Sequence, residues 1–302
     1  MKISSQNKAY LLALVTVVFW STMSSAFKLT LEHINYDQLL LWASLFGIIT
    51  LLVINQLGKN PLKFRRITTK DLLSSALMGL FNPFLYYLVL FRAYELLEAQ
   101  VAGTLNYTWP VTLVIMSSIF LKQRINITSY IAIFISFTGI VIISTNGRFS
   151  DFGDSNILGI LLAVGSSILW ASYWILNLKD KREETGKILL NLIFGFLFIL
   201  VYLIATGNAL YFPQGKALLG SLYIGLFEMS ITFVIWLLAL RNSEDTAKVS
   251  NLIFLSPFIA LIFINLIVGE TIRTSTIIGL VFIIVGILAQ RFLAGKKNSS
   301  KF

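Results

Sequence analysis

Apolar runs of about twenty residues recur along the whole of this chain, and that repetition constrains the fold more than any single motif. A helix rising 1.5 Å per residue needs about twenty such residues to cross roughly 30 Å of hydrocarbon. Backbone polar groups in a bilayer must be satisfied internally, so continuous runs of this length predict spanning helices and exclude the alternating pattern of an outer-membrane barrel. The composition agrees, with 57% hydrophobic and 13% charged residues and a mean hydropathy of +0.81. Spans are expected at 9–29, 37–57, 72–92, 99–121, 128–145, 158–178, 188–206, 217–239, 247–268 and 275–292. The first run follows a short polar stretch, Met1 to Lys8, without a small-residue cleavage pattern, and reads as a retained helix. The expected fold class is therefore an all-α polytopic membrane protein with ten transmembrane helices.

The net charge of +10 would suggest a nucleic-acid partner in a soluble protein, but its distribution points elsewhere. With the amino terminus in the cytoplasm, 19 of the 24 basic residues fall on inside segments and only Lys28, Arg92, Arg148, Lys216 and Arg273 fall outside. Positive-inside asymmetry of this size places both termini in the cytoplasm of a cell-membrane protein, with attraction to anionic lipid as a by-product. No nucleic-acid partner is implied. The chain has no cysteine and one histidine, His33, which leaves no thiolate or imidazole metal cluster, and no cofactor is expected. There is no Walker-type phosphate loop for an ATP-driven pump and no HExxH zinc-protease motif, so an enzyme is not expected.

The chain also repeats itself. Gly79-Leu80-Phe81 recurs as Gly225-Leu226-Phe227, Ala93 falls on Ala239 and Glu98 on Glu244, all at an offset of 146. Pro110 falls on Pro257, Ile125 on Ile272 and Gly139 on Gly286 at 147, and Trp20 on Trp170 at 150. The expected units are residues 1–146, holding spans 1 to 5, and 147–302, holding spans 6 to 10. Five is odd, so the second unit enters the membrane from the opposite side. Inverted repeats of this kind build many secondary transporters, with the solute near the midplane and access alternating as one half rocks against the other.

Ten spans in about 300 residues, the five-span repeat, the FWSTMSSAFK segment at Phe19 to Lys28 and the proline-containing fourth and ninth spans resemble the EamA family of the drug/metabolite transporter superfamily. The resemblance implies a central cavity lined mainly by spans 1, 3, 4, 6, 8 and 9, with spans 5 and 10 further out. Lys28 matches the basic residue that often closes the first-span motif; the second-half counterpart, Leu178, does not.

Glu228 is the residue that most demands a reason, because a charge near mid-span costs about 2.5 to 3.5 kcal/mol and persists mainly where it faces a polar cavity. It is the candidate proton-coupling site, or else the counter-ion of a cationic solute; the structural reading is a protonated side chain bonded to a neighbouring helix. Asn82 is its counterpart at 146, and four residues on, on the same face of an ideal helix, come Tyr86 and Thr232. Asn82 also precedes Pro83 and could simply cap a kink there. Trp20 and Trp170 lie deep rather than in an interfacial belt, so with Trp174 and Tyr173 they could form a wall that holds a cation or stacks on a planar solute. Asn106 and Asn251 sit before the prolines of spans 4 and 9, where freed carbonyls reach a solute. Arg92, Glu95 and Glu98 read as an outer gate or interfacial charges, and Asn55, Asn191 and Asn265 as packing or interface residues.

These residues suggest a secondary transporter of a small organic solute, an amino acid or amine-bearing metabolite moving outward, with a possible coupling proton. Uptake of choline or another quaternary ammonium ion is the alternative, and a channel or non-transporting scaffold the competitor from another class.

Overall fold

The computed structural model describes residues 5–57, 67–120, 127–147, 156–244 and 246–294. Many of the charges that set the expected topology, among them Lys59, Lys63, Arg65, Arg66, Lys122, Arg124 and Arg148, lie outside the described residues.

Among the described residues the chain is helical throughout, without strands. Helix α1 runs Ser5–Leu31 and α2 Tyr36–Leu57. Helices α3 (Thr69–Gly79) and α4 (Tyr86–Leu96) flank a wide turn at Leu80–Leu85. Helices α5 (Ala99–Asn106) and α6 (Trp109–Phe120) follow, then α7 (Ile127–Ser144), α8 (Ile157–Lys179) and α9 (Glu184–Ala205). Helices α10 (Gly215–Tyr223) and α11 (Thr232–Asn242) flank a second wide turn at Ile224–Ile231. Then come α12 (Thr246–Asn251), α13 (Ser256–Phe263) and α14 (Thr274–Ala294).

Among the described residues seven continuous stretches are long and apolar enough to cross a bilayer: Ser5–Leu31, Tyr36–Leu57, Thr69–Leu96, Ile157–Asn177, Glu184–Ala205, Gly215–Asn242 and Lys248–Val268. The other three expected spans fall on shorter helices. The run at 99–121 is divided into α5 and α6 around Tyr107 and Thr108, just before Pro110. Those at 128–145 and 275–292 carry the shorter apolar segments Tyr130–Ser144 and Thr274–Ala289.

Local chemistry sets several boundaries. The Thr68 hydroxyl accepts from Asp71 N while the Asp71 carboxylate accepts from Thr68 N, a reciprocal cap that starts α3. Asn156 and Glu183 accept from Gly159 N and Gly186 N at the starts of α8 and α9. At Gly269 a left-handed backbone, φ 81°, ends the helical stretch before α14.

Packing follows a matched scheme. Helix α1 lies on α11 and α13, and α8 on α4 and α6. Helix α2 lies on the 224–231 turn and on α9, α9 in turn on α3 and the 80–85 turn, and α7 pairs with α14. Glycines stand at several of these crossings. A Cβ on Gly79 would lie 2.4 Å from Asn191 O, and one on Gly225 2.6 Å from Ala43 O, beside Gly195 and Gly47 respectively. Likewise a Cβ on Gly139 would meet Gly279 O at 2.5 Å, and one on Gly286 Ala132 O at 2.6 Å. Backbone cannot yield as a flexible side chain can, so Gly79→Val and Gly225→Val should each cost about 3 kcal/mol or more. Loss of the monodisperse species and a depressed melting temperature would register this. Gly165, with nothing within 4 Å, should accept alanine without loss.

Candidate functional site

The 80–85 turn exists because Pro83 cannot donate to the helical ladder, and Asn82 before it takes an extended backbone, φ −144° and ψ 118°. The 224–231 turn has no proline, and Ser230 hydroxyl bonds to the carbonyls of Gly225 at 2.8 Å and Leu226 at 2.7 Å accompany its widening. Both turns change the side-chain phase. On an ideal helix Tyr86 would follow Asn82 on one face; here the residue five on, Tyr87, does so instead.

Tyr87 and Glu228 form the centre of the site. The Tyr87 hydroxyl donates to Glu228 Oε1 at 2.8 Å, and both residues are buried, Tyr87 at 1% and Glu228 at 9% exposure. Glu228 Oε2 is buried without a hydrogen-bond partner. A buried carboxylate oxygen left in this state costs free energy that a bound donor would recover.

Beside this pair lies a cavity lined by Asn82 and Pro83 from the 80–85 turn, Tyr87 from α4, Met229 from the 224–231 turn, Phe233 from α11, Tyr173 from α8, and Ile188, Asn191 and Leu192 from α9; Glu228 itself is not among the lining residues. Tyr173 meets the side-chain amides of Asn191 and Asn82, whose carbonyl oxygens are buried and unpartnered. The expected placement of Asn191 as a packing residue is therefore incomplete: it packs, with its Nδ2 3.9 Å from Met78 Sδ, and it also faces the cavity.

The other expected site residues spread around this centre. Phe233 lies between the two deep tryptophans, 5.7 Å from Trp20 and 6.3 Å from Trp170 between ring centroids, so the rings do not face one another across open space. Trp170 also packs at a tilt on Tyr86 at 4.7 Å and meets Tyr173 and Trp174 at 5.7 and 6.1 Å. Trp174 Nε1 is buried and unpartnered. Tyr86 turns from the cavity, its hydroxyl donating to Asn106 Oδ1 at 3.2 Å, while Asn106 Nδ2 donates to Ser166 Oγ at 2.8 Å. Asn106 thus ties α4, α5 and α8 together behind the lining. Thr232 is fully buried with an unpartnered hydroxyl, and Asn251 ends α12 with an unpartnered Oδ1; neither is among the lining residues.

The two ends of the bundle are closed differently. Beyond Tyr87, Phe27 packs at 4.9 Å on Phe91 and 5.3 Å on Tyr94. Lys28 Nζ then donates to the carbonyls of Tyr94 at 2.9 Å and Leu97 at 2.7 Å. Both Glu270 oxygens accept from the start of α5, from Ala99 N at 2.6 Å and Gln100 N at 3.1 Å, and Arg273 pairs with Glu98. Arg92 bonds to Glu95 at 2.5 Å, and Glu95 accepts from Tyr36 N at 3.1 Å. At the other end Arg182 joins Asp180 at 2.6 Å and donates to Asp71 O at 3.0 Å. Burial disfavours the Asp180 carboxylate, but the bonds from Arg182 outweigh it and hold the carboxyl below the usual aspartate range.

A family model for the EamA-like transporter family matches twice, over residues 7–145 and 157–290. An uncharacterized transporter of Clostridium kluyveri is 28% identical, with 98% of this chain and 96% of the relative covered. One of Archaeoglobus fulgidus is 26% identical over 93% and 97%, and one of Bacillus subtilis 25% over 95% and 92%. A solved crystal structure of a protein 18% identical shares the fold, with a TM-score of 0.66 and coverage of 97% of this chain and 99% of that one.

Proposed function

The chain belongs to the EamA-like transporter family, and from that premise we propose that it is a secondary transporter that moves a small amine-bearing organic solute by alternating access. The observation that carries this reading is the Glu228–Tyr87 pair against a cavity lined by aromatic rings and carboxamides. The Tyr87 hydroxyl donates its hydrogen bond to Glu228, which leaves the phenol oxygen, polarised by the carboxylate, to accept from a solute ammonium. Glu228 serves as counter-ion through Tyr87, or as the site of a coupling proton.

Two inverted five-helix units, 1–146 and 147–302, account for the matched packing. Exchanging the units turns α1 on α11 and α13 into α8 on α4 and α6, and turns the Gly79 crossing into that of Gly225. The cavity draws on the last turns of α8 and the first of α9, close to the end held by Asp180 and Arg182. The distribution of basic residues supports a cytoplasmic position for that end. A site loaded from the cytoplasm and closed beyond Phe27 and Lys28 supports export. Carboxamides and phenols reward a solute that donates hydrogen bonds, which favours an ordinary amine over a quaternary ammonium ion.

Counterflow in proteoliposomes tests the transporter reading. With unlabelled amine inside, uptake of labelled amine should saturate with concentration and exceed that of empty vesicles several-fold. Flux that rises linearly and ignores the internal solute would mark a channel, and no flux for any solute a scaffold.

A further inference from the structure

We propose that Asn82, Tyr173 and Asn191 form a second pole of the solute site, one that binds a neutral hydrogen-bonding group, and that the transported amine carries no carboxylate. The proposal rests on the reading that this cavity is the transport site and that Glu228 contributes negative charge to it.

Three observations carry it. The first is the pair of buried, unpartnered carboxamide oxygens on Asn82 and Asn191, both on the cavity wall. Asn191 is 2% exposed, and a polar group so buried is normally satisfied by a partner, which here a solute hydroxyl or N–H would supply. The second is the way this corner is built. The extended backbone at Asn82 and the arrival of Tyr173 from α8 bring three neutral hydrogen-bonding groups together from three separate helical stretches, α9 supplying Asn191. Tyr87 and Phe233 contribute the aromatic wall of the same cavity.

The third is charge. None of the residues lining the cavity is Lys, Arg or His. Lys187, adjacent to the lining residue Ile188, directs its ammonium to Glu184 at 2.9 Å and to Asp180 O at 3.3 Å. A solute carboxylate would enter without a counter-charge and near Glu228, so it would lose its hydration and gain repulsion. An α-amino acid is thereby rejected while the amine formed by its decarboxylation is accepted.

Matched probes read this directly. In thermal-shift titrations of the purified full chain, tyramine and histamine should raise the melting temperature in a saturable way, and tyrosine and histidine at equal concentration should leave it unchanged. Asn191→Leu keeps the side-chain volume and removes the amide. It should weaken tyramine, which has a far hydroxyl, roughly 10-fold, and phenethylamine, which lacks one, less than about 3-fold. Amino acids binding as tightly as their amines would overturn the exclusion of carboxylates. Equal weakening of tyramine and phenethylamine would make Asn191 structural and overturn the second pole. If no amine binds while another solute class shows counterflow, this inference fails and the transporter reading stands; if no solute shows counterflow, the transporter reading itself falls.

Discussion

On the proposed reading, Glu228→Gln is expected to lower amine transport by roughly 30- to 1,000-fold and to leave the protein folded. The size follows from removing one partner of a buried, hydrogen-bonded charge pair, about 2 to 4 kcal/mol at 1.36 kcal/mol per tenfold. The fold should survive because Gln keeps an oxygen for the Tyr87 hydroxyl, and because among the described residues none bonds to Oε2. Initial rates and apparent affinity in proteoliposomes, beside the melting temperature of the ligand-free variant, separate these effects. The same variant distinguishes the two roles of the carboxylate. A counter-ion lost means weak binding and slow exchange under every condition. A coupling site lost means that exchange persists while a pH gradient no longer drives accumulation. Unchanged transport in both assays would remove Glu228 from the mechanism.

How much of this arrangement the sequence discloses depends on whether helical phase is kept. Glu228 is conspicuous because a carboxylate amid an apolar run has few structural justifications, and its depth needs only counting. The glycines at 79 and 225 stand out as a repeat, and the crossings give their physical reason: each lets a neighbouring helix backbone approach to a distance no Cβ would tolerate. Tyr87 is hidden by an assumption. A spacing of four picks Tyr86 after Asn82, but the turn at Pro83 inserts extra residues, so the spacing that counts is five. The proline is a visible cue that the ideal rule is suspended there. The wide turn at Ile224–Ile231 has no such cue. Asn191 shows a different limit: a lone amide in an apolar helix looks the same whether it packs or binds, and only the convergence of α3, α8 and α9 places it beside Tyr173. The aromatic wall was legible as residues but not as geometry, since Phe233, which lies between Trp20 and Trp170, is one phenylalanine among 24.

A reversible arrest of transport is expected from Ser21→Cys combined with Ser256→Cys. The Ser21 and Ser256 hydroxyl oxygens are 3.3 Å apart in a buried contact between α1 and α13, and Ser21 also donates to Ser256 O at 3.0 Å. Sulfurs at these positions need only a small rotation to reach the roughly 2.05 Å of a disulfide. The chain has no cysteine of its own, so within one molecule a bond formed on oxidation can only be this one. In the proposed alternating access one five-helix unit rocks against the other, so α1 and α13, which that reading assigns to different units, must change their relation. Oxidised protein should therefore lose at least about nine-tenths of its counterflow and recover it under dithiothreitol, while solute binding measured by thermal shift persists, since binding needs only one state. Each single-cysteine variant, oxidised in the same way, should transport normally. If the cross-linked protein carries solute at the full rate, α1 and α13 move as one body, and the moving boundary must instead be sought where α2 and α9 cross the wide turns at Ile224–Ile231 and Leu80–Leu85.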